Sequence, residues 1–415
     1  MGFADNYFKR FKSGSQIFSS NPCFDTGIIV VIPCYNDNFI FQTLESIECA
    51  NLPDCKTELI VIVNSGKNTA SKVVNNNRNI YKELQIKKQA GIYKNFNLLS
   101  HLIEDIPKKT AGVGNARKTG MDEAVRRFNS IDKADGIIAS LDADCLISEN
   151  YFTEIRKYYN NNSYSGACTV QFQHDFDIRK YPANIISACK LYEIYLRYFR
   201  LSLKYSGFPY PLQTIGSCFS VKAESYIKAG GMSQRQGGED FYFLHKLAPM
   251  TNVGVINEAL VFPSPRISDR VPFGTGPAVS KIISDGEYKT CNFRLFGILK
   301  QFYAGFEALY NPVPENIYEG IIPYEIIEYA GIENLRSMIS ECRKNTNNAQ
   351  AFRKRMFSKF DAFFAIRFLN SFDLKSEFPP MDVIDATSEL FHALKIDNNY
   401  QTVEEWYEGI VLIDR

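Results

Sequence analysis

The chain has 415 residues, 45% hydrophobic and 22% charged, with 47 Lys and Arg against 46 Asp and Glu. That composition excludes a mainly disordered protein, and the balanced charge lacks the basic excess of a nucleic-acid binder. The length allows two or three domains, and aromatic residues are abundant at 14%, with 32 Phe and 24 Tyr but one Trp.

The N-terminal segment 1–25 reads as an arm. It has no apolar stretch of signal-peptide length, and Asn6 stands where a myristoylation signal wants Ser or Thr. Gly27–Pro33 is a continuous β-branched apolar run, as expected of a strand buried on both faces. Asn38–Cys49 has helical spacing, Glu58–Asn64 is a second buried strand, and the Asn-rich patch at 75–79 reads as a loop. Asn115–Phe128 is expected to be a helix, Gly136–Leu141 a third buried strand and Asn150–Asn160 another helix. Gly166–Gln173, Gln213–Val221 and Val253–Phe262 are further strand candidates. Alternating strands and helices argue for an α/β sheet, largely parallel, whose ligands bind outside the carboxyl ends of the strands. From about residue 286 the apolar spacing becomes helical, as in Phe357, Phe360, Phe364 and Phe368. The expected organisation is therefore an arm (1–25), a sheet domain (26–285) and a helical C-terminal region (286–415).

Residues that follow the strands carry the chemistry. Pro33-Cys34-Tyr35-Asn36-Asp37 closes the first strand with groups that can hydrogen-bond a base or ribose; a plain turn with Asn or Asp as helix cap is the bland alternative. Asn64 ends the second strand in a comparable place. Asp142-Ala143-Asp144 follows a fully apolar strand, where an acid is costly without a partner. Two carboxylates so spaced can hold a divalent cation, Mn²⁺ or Mg²⁺, against a diphosphate. A second D-x-D, Asp175–Asp177, lies in a polar stretch with many bland roles, although its neighbour His174 could line an acceptor pocket. Gly237-Gly238-Glu239-Asp240 opens a helical run through Phe241. Acids there are stabilised by the helix dipole, and one of them could also serve as a base for an attacking hydroxyl. Arg117, Arg266 and Arg270 are candidate phosphate ligands, the last two in a Pro- and Gly-rich loop. Gly112-Val113-Gly114 is no dinucleotide fingerprint, because the third Gly is replaced by Arg117 and IEDIPKKTA before it does not read as a buried strand.

Together, IPCYND, GVGNARKTGMDEA, SLDAD and GSCFSVKAESYIKAGGMSQRQGGEDFYFLHKL, in that order, resemble the family 2 glycosyltransferases over about residues 26–280. The resemblance implies a GT-A, Rossmann-like mixed and mainly parallel sheet flanked by helices. It implies a nucleotide-diphospho-sugar donor, with Pro33, Tyr35 and Asp37 around the base and ribose. Asp142 would lie near ribose or metal, Asp144 on the metal, and Arg117, Arg266 and Arg270 toward the donor. Asp240 would be the base of an inverting transfer, with Glu239 beside it. Tyr210 and Phe241 are candidates for an acceptor platform, and a glycan or lipid-linked glycan is the expected acceptor. The chain lacks the Gln/Arg-x-x-Arg-Trp motif of processive synthases, since Trp406 is its one tryptophan, which argues for transfer of a single sugar. A non-catalytic nucleotide-sugar binder and a nucleotidyltransferase are the competing readings; the second would want a basic glycine-rich loop where Cys-Tyr-Asn-Asp stands. The cysteines, without a CxxC pair, and the missing leader point to a cytosolic protein. The basic aromatic stretch Tyr181–Tyr205 offers a peripheral membrane contact as the alternative to a packed helix whose cations snorkel outward.

Overall fold

The computed structural model describes residues 2–11, 14–268, 274–312, 314, 318–372 and 377–415, and in it the three apolar runs lie side by side. Eight strands, β1 (Thr26–Cys34), β2 (Lys56–Gly66), β3 (Asn97–Ile106), β4 (Ile137–Ser140), β5 (Cys145–Ile147), β6 (Ser165–Phe172), β7 (Phe219–Lys222) and β8 (Asn252–Pro263), form one sheet. Their spatial order is β3-β2-β1-β4-β7-β6-β8-β5. β1 pairs in parallel with both β2 and β4, Val30 standing opposite Leu59 on one side and Ala139 on the other. Only β7 and β5 run against the rest. Every residue of β1 is buried, which explains its unbroken apolar run. The chain moves outward from β1 through β2 to β3, then returns to place β4 on the opposite side. The carboxyl ends of β1 and β4 therefore flank the crevice that such a switch in strand order opens.

One close approach sets the layer above that crevice. The helix Val113–Ser130 lies on the sheet with Gly120 against β1: a Cβ there would meet Val31 Cγ1 at 2.4 Å and Ile62 Cγ1 at 3.3 Å. Both are short branched side chains in a buried strand pair, so neither can swing aside. Gly120→Ala is expected to lose about 1–3 kcal/mol through overpacking, despite the helix preference for Ala. Urea unfolding of the variant measures this.

Several expectations change. The segment 75–79 is not a loop but part of the helix Ser71–Gln89. Asn77 is fully buried there and bonds Asn36 N and Asn64 O, so tertiary partners outweigh its poor intrinsic helix preference. The segment before Gly112 is no buried strand, as expected: its residues 103–106 end β3, an edge strand half-buried along its centre. The strand expected over Gln213–Val221 is reduced to Phe219–Lys222. The arm is docked on its own unit: a helix, Asp5–Phe11, lies beside Val113–Ser130, with Tyr7 OH donating to Asp122 (2.8 Å) and Ala4 N to Asn129 (2.8 Å).

The chain divides into two compact units, one of residues 1–181 and 214–277, the other of 182–213 and 278–415. The long helix Ala183–Tyr205 thus groups with the C-terminal helices rather than with the sheet, unlike the 26–285 boundary read from sequence. It does so because its charges are answered there. Arg197 is buried and donates to Glu193 and Asp414, Arg200 donates to Asp414 (2.7 Å), and Lys190 pairs with Glu404. Arg197 and Arg200 are thus spent on buried acids, which favours the packed-helix reading over an anionic-surface face. No helix among the described residues is long and apolar enough to cross a membrane. Much of the aromatic excess is core of this unit: Phe302 meets Phe360, Phe306 meets Phe357 and Phe360 meets Phe364, each at 5.0 Å between ring centroids.

Candidate active site

The sheet-bearing unit gathers its acids around two arginines. Arg117 enters from the second turn of Val113–Ser130, after a glycine-rich approach in which Gly112 (φ 150°) and Gly114 pass against the backbone of Arg235 and Gln236. Its side chain is 2% exposed and its fork is almost fully occupied. Nε donates to Glu239 (3.0 Å), Nη1 to Ser140 Oγ (2.7 Å) and Gly216 O (3.1 Å), and Nη2 to Asp142 (2.9 Å). Burial alone would lower its pKa, but the charges of Asp142, Glu239 and Asp240 outweigh that and raise it. A permanently charged, planar fork is what ties the end of β4 to the start of the helix Glu239–Leu247. Gly216 has no room for more: a Cβ there would lie 2.6 Å from Arg117 Nη2. Arg117 is therefore a ligand of the protein's own acids in this structure rather than a group presented to a donor phosphate.

Glu239 and Asp240 are separated by this arrangement. Gly238 takes a left-handed conformation (φ 69°) and turns the chain into the helix, with Glu239 buried against Arg117. Asp240, half-buried, accepts only the Phe241 backbone N–H (2.7 Å) at Oδ1. Among the described residues its Oδ2 has no hydrogen-bond partner. Burial, then the charge of Glu239, push its pKa up to about 7, against the pull of Arg117. The sequence offered the two acids as equals; the fold spends one on an ion pair and leaves the other basic near neutral pH.

At the opposite lip stands Arg266, just beyond β8. Its Nη2 donates both to Asp144 (2.8 Å) and to Asp37. Asp37 is 2% exposed and also accepts the Phe39 N–H (3.1 Å). Ala143 O between the two acids is fixed by Thr43 Oγ1 (2.9 Å), and Asp144 O by Ser264 N (3.1 Å). The first D-x-D, Asp37 and Arg266 are thus one cluster at the strand ends. The second D-x-D is a surface pair: Asp175 bonds Lys180 (2.8 Å), and the Arg179 hydrogen bonds draw Asp177 down to about 2.

Other expected residues fall differently. Pro33 is buried inside β1 opposite Ile62, while Tyr35 emerges half exposed. Asn64 is buried and holds the approach loop, donating to Gly112 O (3.1 Å), so it positions Arg117 indirectly instead of facing a ligand. His174 is buried on Thr275 Oγ1 (2.9 Å), and the Phe241 ring packs on His245 (4.4 Å). Tyr210 belongs to the helical unit, edge-on to Phe208, so the sheet-bearing unit does not supply it. Arg270 lies outside the described residues. Sequence reasoning passed over Ser140, although a lone hydroxyl in the run GIIASL was a readable sign of a partner at that strand end.

Residues 29–228 match the family model described as Glycosyl transferase family 2. No curated protein matches the sequence. Among solved structures, S. aureus TarS residues 1–349 in complex with UDP-GlcNAc shows 12% identity and a TM-score of 0.41, covering 80% of this chain and 91% of that one. The mannosyltransferase PcManGT from Pyrobaculum calidifontis, in complex with GDP-Man and Mn²⁺, shows 13% identity and a TM-score of 0.38, covering 99% and 92%. The family match runs from β1 through the helix Ala223–Lys228 that follows β7 and takes in Asp37, Arg117, Asp142 and Asp144, so residues 29–228 are a glycosyltransferase family 2 domain and the chain is a glycosyltransferase.

Proposed function

We propose that the enzyme transfers one sugar from a nucleotide-diphospho-sugar to a hydroxyl of a glycan or lipid-linked glycan, with inversion and with metal assistance. The observation that carries the reading is the unpartnered Oδ2 of Asp240, a carboxylate oxygen with a pKa of about 7 beside the strand-end crevice. An acceptor hydroxyl becomes a competent nucleophile as its proton passes to such an oxygen, and a base with a pKa near the working pH is effective in that role. Glu239, ion-paired with Arg117, orients the helix start, and its charge helps to keep Asp240 basic. Tyr35, which follows β1, is the side chain that this reading assigns to the base and ribose.

The residues present suit a hard divalent cation. Two carboxylates already converge on a single positively charged nitrogen, and oxygen donors are what Mn²⁺ or Mg²⁺ prefers. Among the described residues no group of three His, Cys, Asp or Glu is placed to hold a metal ion. Asp144 would hold the ion with Asp142 or Asp37 beside it, and the ion would neutralise the departing nucleoside diphosphate. Asp144→Ala is expected to reduce turnover of a nucleotide-sugar panel by two orders of magnitude or more, roughly the scale of losing a transition-state electrostatic partner. Unchanged melting behaviour should accompany that loss. Full activity of the folded variant refutes the metal assignment, and release of pyrophosphate instead of nucleoside diphosphate restores the nucleotidyltransferase reading.

A further inference from the structure

Arg117 and Arg266 both sit on site acids, but they are built differently. Arg117 rises from a helix and spends its fork on the end of β4, the Gly216 carbonyl and the Glu239 helix. Arg266 comes from the non-regular segment after β8 and is 30% exposed. A single nitrogen, Nη2, makes both of its carboxylate bonds, whereas its Nε is buried without a partner. Its guanidinium carbon stands 5.9 Å from the Phe39 ring, and its backbone is held by Ser264 Oγ (3.4 Å). One nitrogen shared by an oxygen of Asp37 and an oxygen of Asp144 takes the place of an ion bridging two carboxylates.

We infer that Arg266 is an internal counter-cation of the donor crevice, and that it and a divalent ion exclude each other at Asp37 and Asp144. The inference rests on the proposed cation role of Asp144. Its physical basis is simple. Asp37 is nearly inaccessible to water, and a buried carboxylate needs a positive partner in the unliganded enzyme. Arg266 is such a partner before substrate arrives. A metal ion entering the same place must displace a like charge, so the apo-enzyme binds metal weakly. A donor that arrives with its own cation offers the released guanidinium phosphate oxygens in exchange for the two carboxylates, and guanidinium binds such oxygens well. Arg266 would in this way make metal uptake conditional on donor, as a positioning residue with no part in proton transfer.

The test reads Mn²⁺ binding directly, by calorimetric titration of the full chain without nucleotide. If the arginine occupies the site about nine-tenths of the time, the apparent dissociation constant is about tenfold weakened. Arg266→Ala and Arg266→Gln should therefore bind Mn²⁺ about tenfold more tightly than the unaltered protein. Arg266→Lys, which keeps a cation, should stay close to it. Arg179→Ala removes a surface charge paired with Asp177 and should change nothing. Circular dichroism establishes that each variant is folded, and the Gln variant decides if the Ala variant is not. Equal or weaker Mn²⁺ binding in the folded neutral variants overturns the inference, as does an absence of binding in all of them. Asp144→Ala binding Mn²⁺ like the unaltered protein also overturns it, by placing the ion elsewhere. That last result leaves the transferase reading standing, since turnover is measured separately.

Discussion

Asp240→Asn should lower sugar transfer by about 10²–10⁴-fold while leaving the affinity for nucleotide-sugar nearly unchanged. The amide keeps the shape and the Phe241 N–H bond at Oδ1 but cannot take a proton from the acceptor hydroxyl. The pH dependence gives the same residue a second signature. In the unaltered enzyme, kcat/KM should fall about tenfold per pH unit below the pKa of about 7, as the base becomes protonated. Stability should respond in the opposite sense. The folded-state pKa lies above the ordinary carboxylate value, so the folded protein holds this proton more tightly than the unfolded chain does. The carboxylate therefore costs nothing below about pH 4, costs progressively more between 4 and 7, and costs its full amount above 7. Asp240→Asn removes that cost. Its melting temperature should exceed that of the parent at pH 8, and the advantage should shrink toward pH 4. An Asn variant that transfers sugar normally, or that melts lower at pH 8, would show that Asp240 is a structural N-terminal acid.

The second large effect is one of stability. Arg117→Ala should cost about 3–5 kcal/mol, because it leaves the buried Glu239 carboxylate without its cation and frees Asp142 and Ser140 as well. Arg117→Lys should recover only part of this. A lysine ammonium is a point charge, whereas the guanidinium meets Glu239, Asp142, Ser140 and Gly216 O in separate directions of one plane. Urea unfolding at pH 7.5 measures both. A cost below about 1 kcal/mol for the Ala variant would mean that the pair behaves like an exposed salt bridge and does not organise the site.

Much of the central sheet is readable in the sequence. β1, β2 and β4 are short apolar runs with β-branched residues, and such a run can satisfy its side chains only between two covered faces. The acids after those strands were readable too, because an acid directly after a fully apolar strand needs a partner. β3 was missed: NLLSHLIEDI is an edge strand with exposed positions, and its mixture of Leu, Ser, His and acids has no single period. The Ser71–Gln89 helix was missed for a related reason, since its Asn residues favour turns locally and are held in a helix by bonds from elsewhere.

The sequence by itself determined the family 2 domain, the strand followed by Asp142 and Asp144, and the pair Glu239 and Asp240 at a helix start, because these depend on residue type and near neighbours in the chain. Only the tertiary structure decided which charge answers which. Arg117 meets Glu239 across 122 positions and Arg266 meets Asp37 across 229. Buried charges choose partners by what the fold brings within about 3 Å, where low dielectric makes each pairing decisive. That choice turned Arg117 from an expected donor ligand into an internal tie. It spent Glu239, left Asp240 basic, and drew the cations of Ala183–Tyr205 into the helical unit through acids near the end of the chain.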